Sequence, residues 1–201
     1  MAEQHGFSLR LIGLGGQGIL TLSTVIARAA ESMDLEFTTL NRLRSAMRLG
    51  PVICDMRLGR PGFTPTLPPA RADAVLGLEP YEGATSAGQL IRPGGVVVLN
   101  TARIPPVGSL FTGKPYPDLE PIWSALQKHG ARLIQVDASA KARTITGSVE
   151  GANFYLLGVL LQVAKDFPVS AKSLEMQLAG SPAKLDCFWQ GLREKLSLRE
   201  P

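Results

Sequence analysis

Leu9-Arg10-Leu11-Ile12-Gly13-Leu14-Gly15-Gly16-Gln17-Gly18-Ile19-Leu20-Thr21 is the stretch on which the fold turns. An apolar run meets four glycines in six positions and then passes into a helical pattern. Glycine tolerates positive φ and lets another backbone come close. A strand, a glycine turn and a helix N-terminus together make a seat for an anion or for a close-packed partner.

Outward from this turn, Ser8 to Ile12 reads as a buried strand, and Gln17 to Met33 carries apolar residues at helical spacing. Leu35 to Leu40 reads as strand two. Residues 41–51 are basic and end at Gly50-Pro51, which predicts a loop or a broken helix. Val52 to Leu58 is strand three, and residues 59–72 form a Pro-rich extended surface loop. Ala72 to Leu78 is a strand, and Pro80 opens a helix that runs through Leu90. Pro93-Gly94-Gly95 turns into Val96 to Asn100, the clearest buried strand. Residues 101–117 are again rich in Pro and Gly. A helix over Asp118 to Gly130 and a strand over Arg132 to Asp137 follow. From about 139 the chain is helical throughout, punctuated by Gly151, Gly158, Gly180 and Pro182. This alternation predicts a three-layer, Rossmann-like α/β fold: a mostly parallel sheet, helices on both faces and a C-terminal helical segment. The whole of 1–201 is expected to be one domain, with 1–138 the α/β core and 139–201 the helices.

Gly13, Gly15 and Gly18 satisfy G-x-G-x-x-G in its strand–turn–helix setting. A dinucleotide site also needs an acid at the end of strand two. Asp34 and Glu36 stand at its start, and its end is Leu40-Asn41. A free-standing NAD(P)-binding Rossmann reductase is therefore the alternative reading, not the first. The adenylating enzymes that activate ubiquitin-like proteins use a similar turn, but they need an acid-rich ATP site and commonly carry paired CxxC ligands, which are not visible here. A third possibility is that the glycines serve only tight strand–helix packing.

The 201 residues, 45% apolar and with a formal charge of +4, suit a soluble globule. The longest apolar run, Phe154 to Ala164, is too short to span a bilayer, and no basic-then-apolar leader opens the chain. Cys54 and Cys187 form no CxxC pair, so a structural zinc site or an iron–sulfur cluster fails on ligand count. Reduced thiols and a cytoplasmic location are expected. Arg42, Arg44, Arg48, Arg57 and Arg60 cluster without interleaved aromatics, which speaks against nucleic acid.

Four stretches taken together resemble one family: Gly13 to Gly18 with Thr21 and Ala29-Ala30; Arg48-Leu49-Gly50-Pro51-Val52 with Met56-Arg57; Ala72 to Pro80, leading into Pro93-Gly94-Gly95 and Asn100-Thr101; and Gly151-Ala152-Asn153 with Leu157-Gly158. They resemble the gamma-type subunit or domain of 2-oxoacid:ferredoxin oxidoreductases and, within that family, its indolepyruvate branch. The family's usual Arg-Gly-Gly is here Arg48-Leu49-Gly50 with Pro51 following, and a positive φ at Leu49 would be costly.

The resemblance implies a complex that oxidatively decarboxylates a 2-oxoacid. Thiamine diphosphate attacks the oxo carbon, coenzyme A takes the acyl group, and iron–sulfur clusters pass electrons to ferredoxin. This sequence has no Gly-Asp-Gly metal–diphosphate motif and no cysteine cluster. Such chemistry belongs to cofactors. The resemblance therefore implies a partner subunit that holds thiamine diphosphate, Mg2+ and the clusters. The present chain would be non-catalytic, inactive alone and without a metal; ferredoxin would be an indirect partner. An assembly module without ligand binding is a further alternative. The residues singled out for contact with coenzyme A or with the partner's thiamine site are Gly13, Gly15, Gly16, Gln17, Gly18, Thr21, Arg48, Gly50, Glu79 and Asn100. Arg48 and Arg57 are the cations expected to meet coenzyme A phosphates. Simpler roles stand beside these: Asn100 as a turn cap, Glu79 as an acid in the first helical turn, and Asn153 as an N-cap. Cys54 reads as core, not as a nucleophile.

Overall fold

The computed structural model describes residues 6–43, 50–59, 64–105, 113 and 115–196. In chain order the elements are β1 (Phe7–Leu14), α1 (Ile19–Glu31), β2 (Phe37–Leu43), β3 (Pro51–Leu58), β4 (Ala72–Gly77), α2 (Pro80–Leu90), β5 (Ile91–Asn100), α3 (Glu120–Lys128), β6 (Arg132–Val136), α4 (Ala138–Thr146), α5 (Ala152–Val163), α6 (Ala171–Leu178) and α7 (Pro182–Leu192).

The six strands form one sheet in the order β2-β3-β1-β4-β5-β6. β1, β4, β5 and β6 pair in parallel. β3 runs against both its neighbours, so the sheet is mixed. The cause is the connection: residues 44–50 are too few for a parallel crossover, which needs about a dozen residues or more. Strand two also runs longer than its composition suggests. Asn41, Arg42 and Leu43 remain in β2, opposite Cys54, Ile53 and Val52, where a loop or broken helix was expected. β2 is an edge strand, and charged side chains are favoured on edges. At Pro93-Gly94-Gly95 the expected turn is a bulge within β5: Ile91 pairs with Ala72 and Val96 with Ala74, and Gly94 has φ 74°.

Both faces of the sheet are buried. One face carries Leu9, Leu11, Met56, Leu76 and Val98 under α1 and the four C-terminal helices. The other carries Ile12, Val75, Val97 and Leu99 under α2 and α3. Alternate residues of β1 and β5 serve opposite layers, which explains their unbroken apolar spelling. Arg10 interrupts it and is only 7% exposed. Its Nε and Nη2 donate to the two oxygens of Asp55 at 2.6 and 2.8 Å, and Nη1 donates to Ser86 of α2 at 3.1 Å. Arg42 reaches the same carboxylate. This bidentate pair sits at the Arg10–Asp55 register position and ties reversed β3 to β1 and to α2.

Of the C-terminal residues expected to punctuate the helices, Gly151 is the N-cap of α5 and Pro182 begins α7. Gly158 does not interrupt anything. It lies inside α5, where a Cβ would collide with the Phe188 carbonyl and the backbone of Gly191 on α7. α5 is buried on almost every side, as a helix apolar all round should be.

Candidate functional site

β1 delivers the chain to the carboxyl edge of the sheet at Leu14. The turn that follows is held by backbone bonds: Gly15 N–H donates to the Gly50 carbonyl at 3.0 Å, and Gln17 N–H donates to Leu14 O at 3.1 Å. Gly16 has φ 93° and Gly18 φ 79°, both in the left-handed region. Gly18 is the N-cap of α1.

Three carboxamides stitch this edge together. Gln17 folds back so that its Oε1 accepts from Leu14 N–H at 2.7 Å, while its Nε2 donates to Leu78 O at 3.0 Å. Asn100, at the end of β5, donates to the same Leu78 carbonyl at 3.2 Å and to Ser139 Oγ at 2.9 Å. Asn153, in the first turn of α5, donates to Gly18 O at 3.2 Å. The ends of β1, β4 and β5 and the starts of α1, α4 and α5 are thereby locked to one another. Asn153 is not the cap of its helix; that position is Gly151.

These groups border a cleft of about 510 Å³. Gly16, Gln17, Gly18, Thr21 and Asn100 line it, as expected of residues at the carboxyl end of an α/β sheet. A Cβ at Gly16 would meet nothing within 4 Å, so the turn is open on that side. Gly13 and Gly15 lie behind the lining, and Gly50 acts through its bond to Gly15. Arg48 and Leu49 lie outside the described residues.

Glu79 is placed elsewhere. It is 1% exposed and caps α2, accepting from Glu82 N–H at 3.0 Å. Its other oxygen accepts from the Tyr116 hydroxyl at 2.5 Å. Burial, followed by the bond to Glu79 and its charge, pushes the Tyr116 phenol well above its usual range. The Glu79 carboxylate thus anchors Tyr116 over the start of α2 and does not line the cleft.

Arg57 is not beside the turn either. Because β3 is reversed, Arg57 pairs with Ser8 at the amino edge of the sheet. There it borders a separate cavity of about 790 Å³ with Arg71, Asp73 and Arg92. Among the described residues, the cations lining the cleft at the glycine turn are Arg143 of α4 and Lys184 of α7, and the carboxylate is Glu150. Sequence reasoning missed both, together with Ser139 and Phe154. For α4 a signal existed: it leaves the carboxyl end of β6 behind an Asp137 cap, whose carboxylate accepts from Ala140 N–H at 2.9 Å. Lys184 had none.

The dinucleotide alternative loses its remaining support here. The strand beside β1 on that flank is β3, which presents its beginning, Pro51, at the carboxyl edge. Asp34 sits in the turn before β2, at the opposite edge, with φ 52°. Cys54 is fully buried in β3; burial, with the charge of Asp55 adding, pushes its thiol up to about 11 against a bond to Ser23. It is core, as expected.

Over residues 8–186 the sequence matches the family described as pyruvate ferredoxin/flavodoxin oxidoreductase. Indolepyruvate oxidoreductase subunit IorB of Archaeoglobus fulgidus is 38% identical over 151 residues, covering 75% of this chain and 73% of that protein. The IorB of Pyrococcus horikoshii is 30% identical over 183 residues, 90% of this chain and 89% of that one. Among solved structures, pyruvate oxidoreductase subunit PORC of Thermotoga maritima superposes with a TM-score of 0.71 at 18% identity, covering 97% of this chain and 99% of that one. The 2-oxoglutarate:ferredoxin oxidoreductase of Magnetococcus marinus, solved with 2-oxoglutarate, coenzyme A and succinyl-CoA bound, gives 0.68 at 19% identity, covering 99% of this chain and 33% of that one. At such identities the two structures speak for the fold.

Proposed function

Since the chain belongs to the pyruvate ferredoxin/flavodoxin oxidoreductase family, we propose that it is the gamma-type, non-catalytic subunit of an indolepyruvate-like 2-oxoacid:ferredoxin oxidoreductase. In that role it supports thiamine-dependent oxidative decarboxylation to an acyl-CoA and is inactive alone. The observation that carries the reading is the carboxyl-edge cleft. Its open glycine turn and its cations suit a ligand, and the described residues of its lining include no nucleophile–base pair. Among the described residues no three His, Cys, Asp or Glu side chains come together to hold a metal ion.

The residues present do not fit an iron–sulfur cluster. The two cysteines lie in β3 and α7, both buried, and a cluster takes about four thiolates. On this reading the clusters, thiamine diphosphate and Mg2+ belong to the partner subunit, which would also deliver electrons to ferredoxin. Coenzyme A suits the cleft, whose lining carries Arg143 and Lys184 beside the open glycine turn. It supplies the thiol that receives the acyl group when bound, and this chain would hold it with Gly16, Gly18, Thr21, Arg143 and Lys184. We read the chain as one domain, with the C-terminal helices completing the cleft. No described helix is long and apolar enough to cross a membrane, and the unpaired thiols suit a cytoplasmic complex.

Affinity purification of the tagged chain from its native host tests the association. A co-purifying polypeptide carrying thiamine diphosphate and iron–sulfur clusters is the expected result. Recovery of the chain alone, with NAD(P)H-dependent turnover, would contradict the proposal.

A further inference from the structure

We propose that the cavity at the amino edge of the sheet is a second binding site, one for a small multivalent oxyanion: a polyphosphate or a polycarboxylate. Its volume is about 790 Å³, and it shares no lining residue with the carboxyl-edge cleft. Three guanidinium groups border it from separate parts of the chain: Arg57 from β3, Arg71 from the segment before β4, and Arg92 from β5. Arg92 is held in place. Its Nε donates to one oxygen of Asp73 at 2.6 Å, and the other oxygen accepts from Ser8 N–H at 2.7 Å, which ties the pair to the β1 backbone. Arg71 is delivered by a stiff segment. Leu67 is buried, and Pro68 and Pro69 fix φ at two successive positions. Ala70 then turns the chain with φ 52°, a left-handed value unusual for alanine, and its N–H donates to Gln89 O at 3.4 Å.

The charge balance selects the occupant. Asp73 already has both oxygens engaged by Arg92 and Ser8. Asp166 is the other carboxylate of the described lining, so three guanidinium groups face two carboxylates and that lining is net cationic. Arg71 is exposed and joins no ion pair among the described residues. Arg92 spends Nε on Asp73 and Nη1 on Pro93 O, and a guanidinium carries five N–H donors, so its fork has donors left for an occupant. Such forks match the paired oxygens of phosphate and carboxylate, which accept charge-assisted hydrogen bonds. Arginines that reach one cavity from separate elements are best satisfied by an anion with more than one charged group, which bridges them.

Proton–nitrogen correlation NMR of the full chain, titrated with inorganic pyrophosphate and separately with citrate, tests the site. Saturable shifts at the amides of Ser8, Arg57, Arg71 and Asp73 are expected, and the anion that binds more tightly names the class. No saturable shift with either anion would overturn the proposal. Shifts confined to Gly16 and Gly18 would overturn it as well, while leaving the carboxyl-edge cleft as a ligand site. Arg71→Gln should weaken binding at the amino edge about tenfold, and Arg71→Gln/Arg92→Gln about 100-fold. The same spectra report whether each variant keeps its fold. The single variant decides the matter if loss of the Asp73 partner disturbs the double one, because Arg71 is exposed and outside the ion pairs of the described residues. Amino-edge affinity of Arg71→Gln within about twofold of wild type would show that its guanidinium holds no anion, and the proposal would fall.

Discussion

Leu78 shows how much of the site depends on a single carbonyl. It accepts from both Gln17 and Asn100, and its own N–H donates to Ile12 O at 2.8 Å. Gln17 is thus a bracket between two strand ends more than a ligand contact, although its edge borders the cleft. Replacing it with leucine strips Leu14 N–H of its side-chain acceptor and Leu78 O of a donor. Leaving such groups unpaired costs about 1–3 kcal/mol, and urea denaturation of Gln17→Leu should show a loss of that size. An unchanged midpoint would mean the bracket is idle. At this scale the sequence was half legible. Gly16, Gly18 and Thr21 line the cleft together because they follow one another in a single turn and the helix start after it. Arg143 and Lys184 were not found, since only the packing of α4 and α7 across the edge brings them to the turn. Arg57 was misplaced because its position depends on which way β3 runs.

β3 is the element on which the candidate site's geography depends. Its reversal sends Arg57 to the far edge and places Gly50 where it can hold the glycine turn. Strand spellings are nearly blind to direction: Val52 to Leu58 reads the same either way. The length of the 44–50 connection held the clue, and the basic residues of 41–51 concealed it by imitating a loop. The Arg10–Asp55 pair fixes the reversed strand in register. Asp55→Asn would leave the Arg10 guanidinium buried and short of its counter-charge, a change that costs about 3–5 kcal/mol. Denaturant unfolding should report a loss of that order. Replacing both residues by apolar ones of similar size should recover most of it, and failure of that recovery would show that the charges do more than fix register. The helices were easier to read. Caps and prolines mark α2, α4 and α7, while Gly158 misled because its purpose is the close crossing with α7 and not a break.

Taken as a whole molecule, the chain carries its candidate site in one cleft at the carboxyl edge of the sheet. The sheet's carboxyl edge is stitched, open and cationic, but Glu79, the acid expected there, caps α2 instead. The family was legible from four short stretches because their functions are local turns and strand ends. Which of their residues touch a ligand was not, because amides such as Asn100 and Asn153 look alike whether they bind cofactor or backbone. Reconstitution tests the central claim most directly: 2-oxoacid- and coenzyme A-dependent ferredoxin reduction, measured with the thiamine and iron–sulfur partner alone, this chain alone and both together. The account predicts turnover only when both are present, and none from this chain with or without NAD(P)H. Full turnover by the partner alone, or NAD(P)H oxidation by this chain alone, would contradict it.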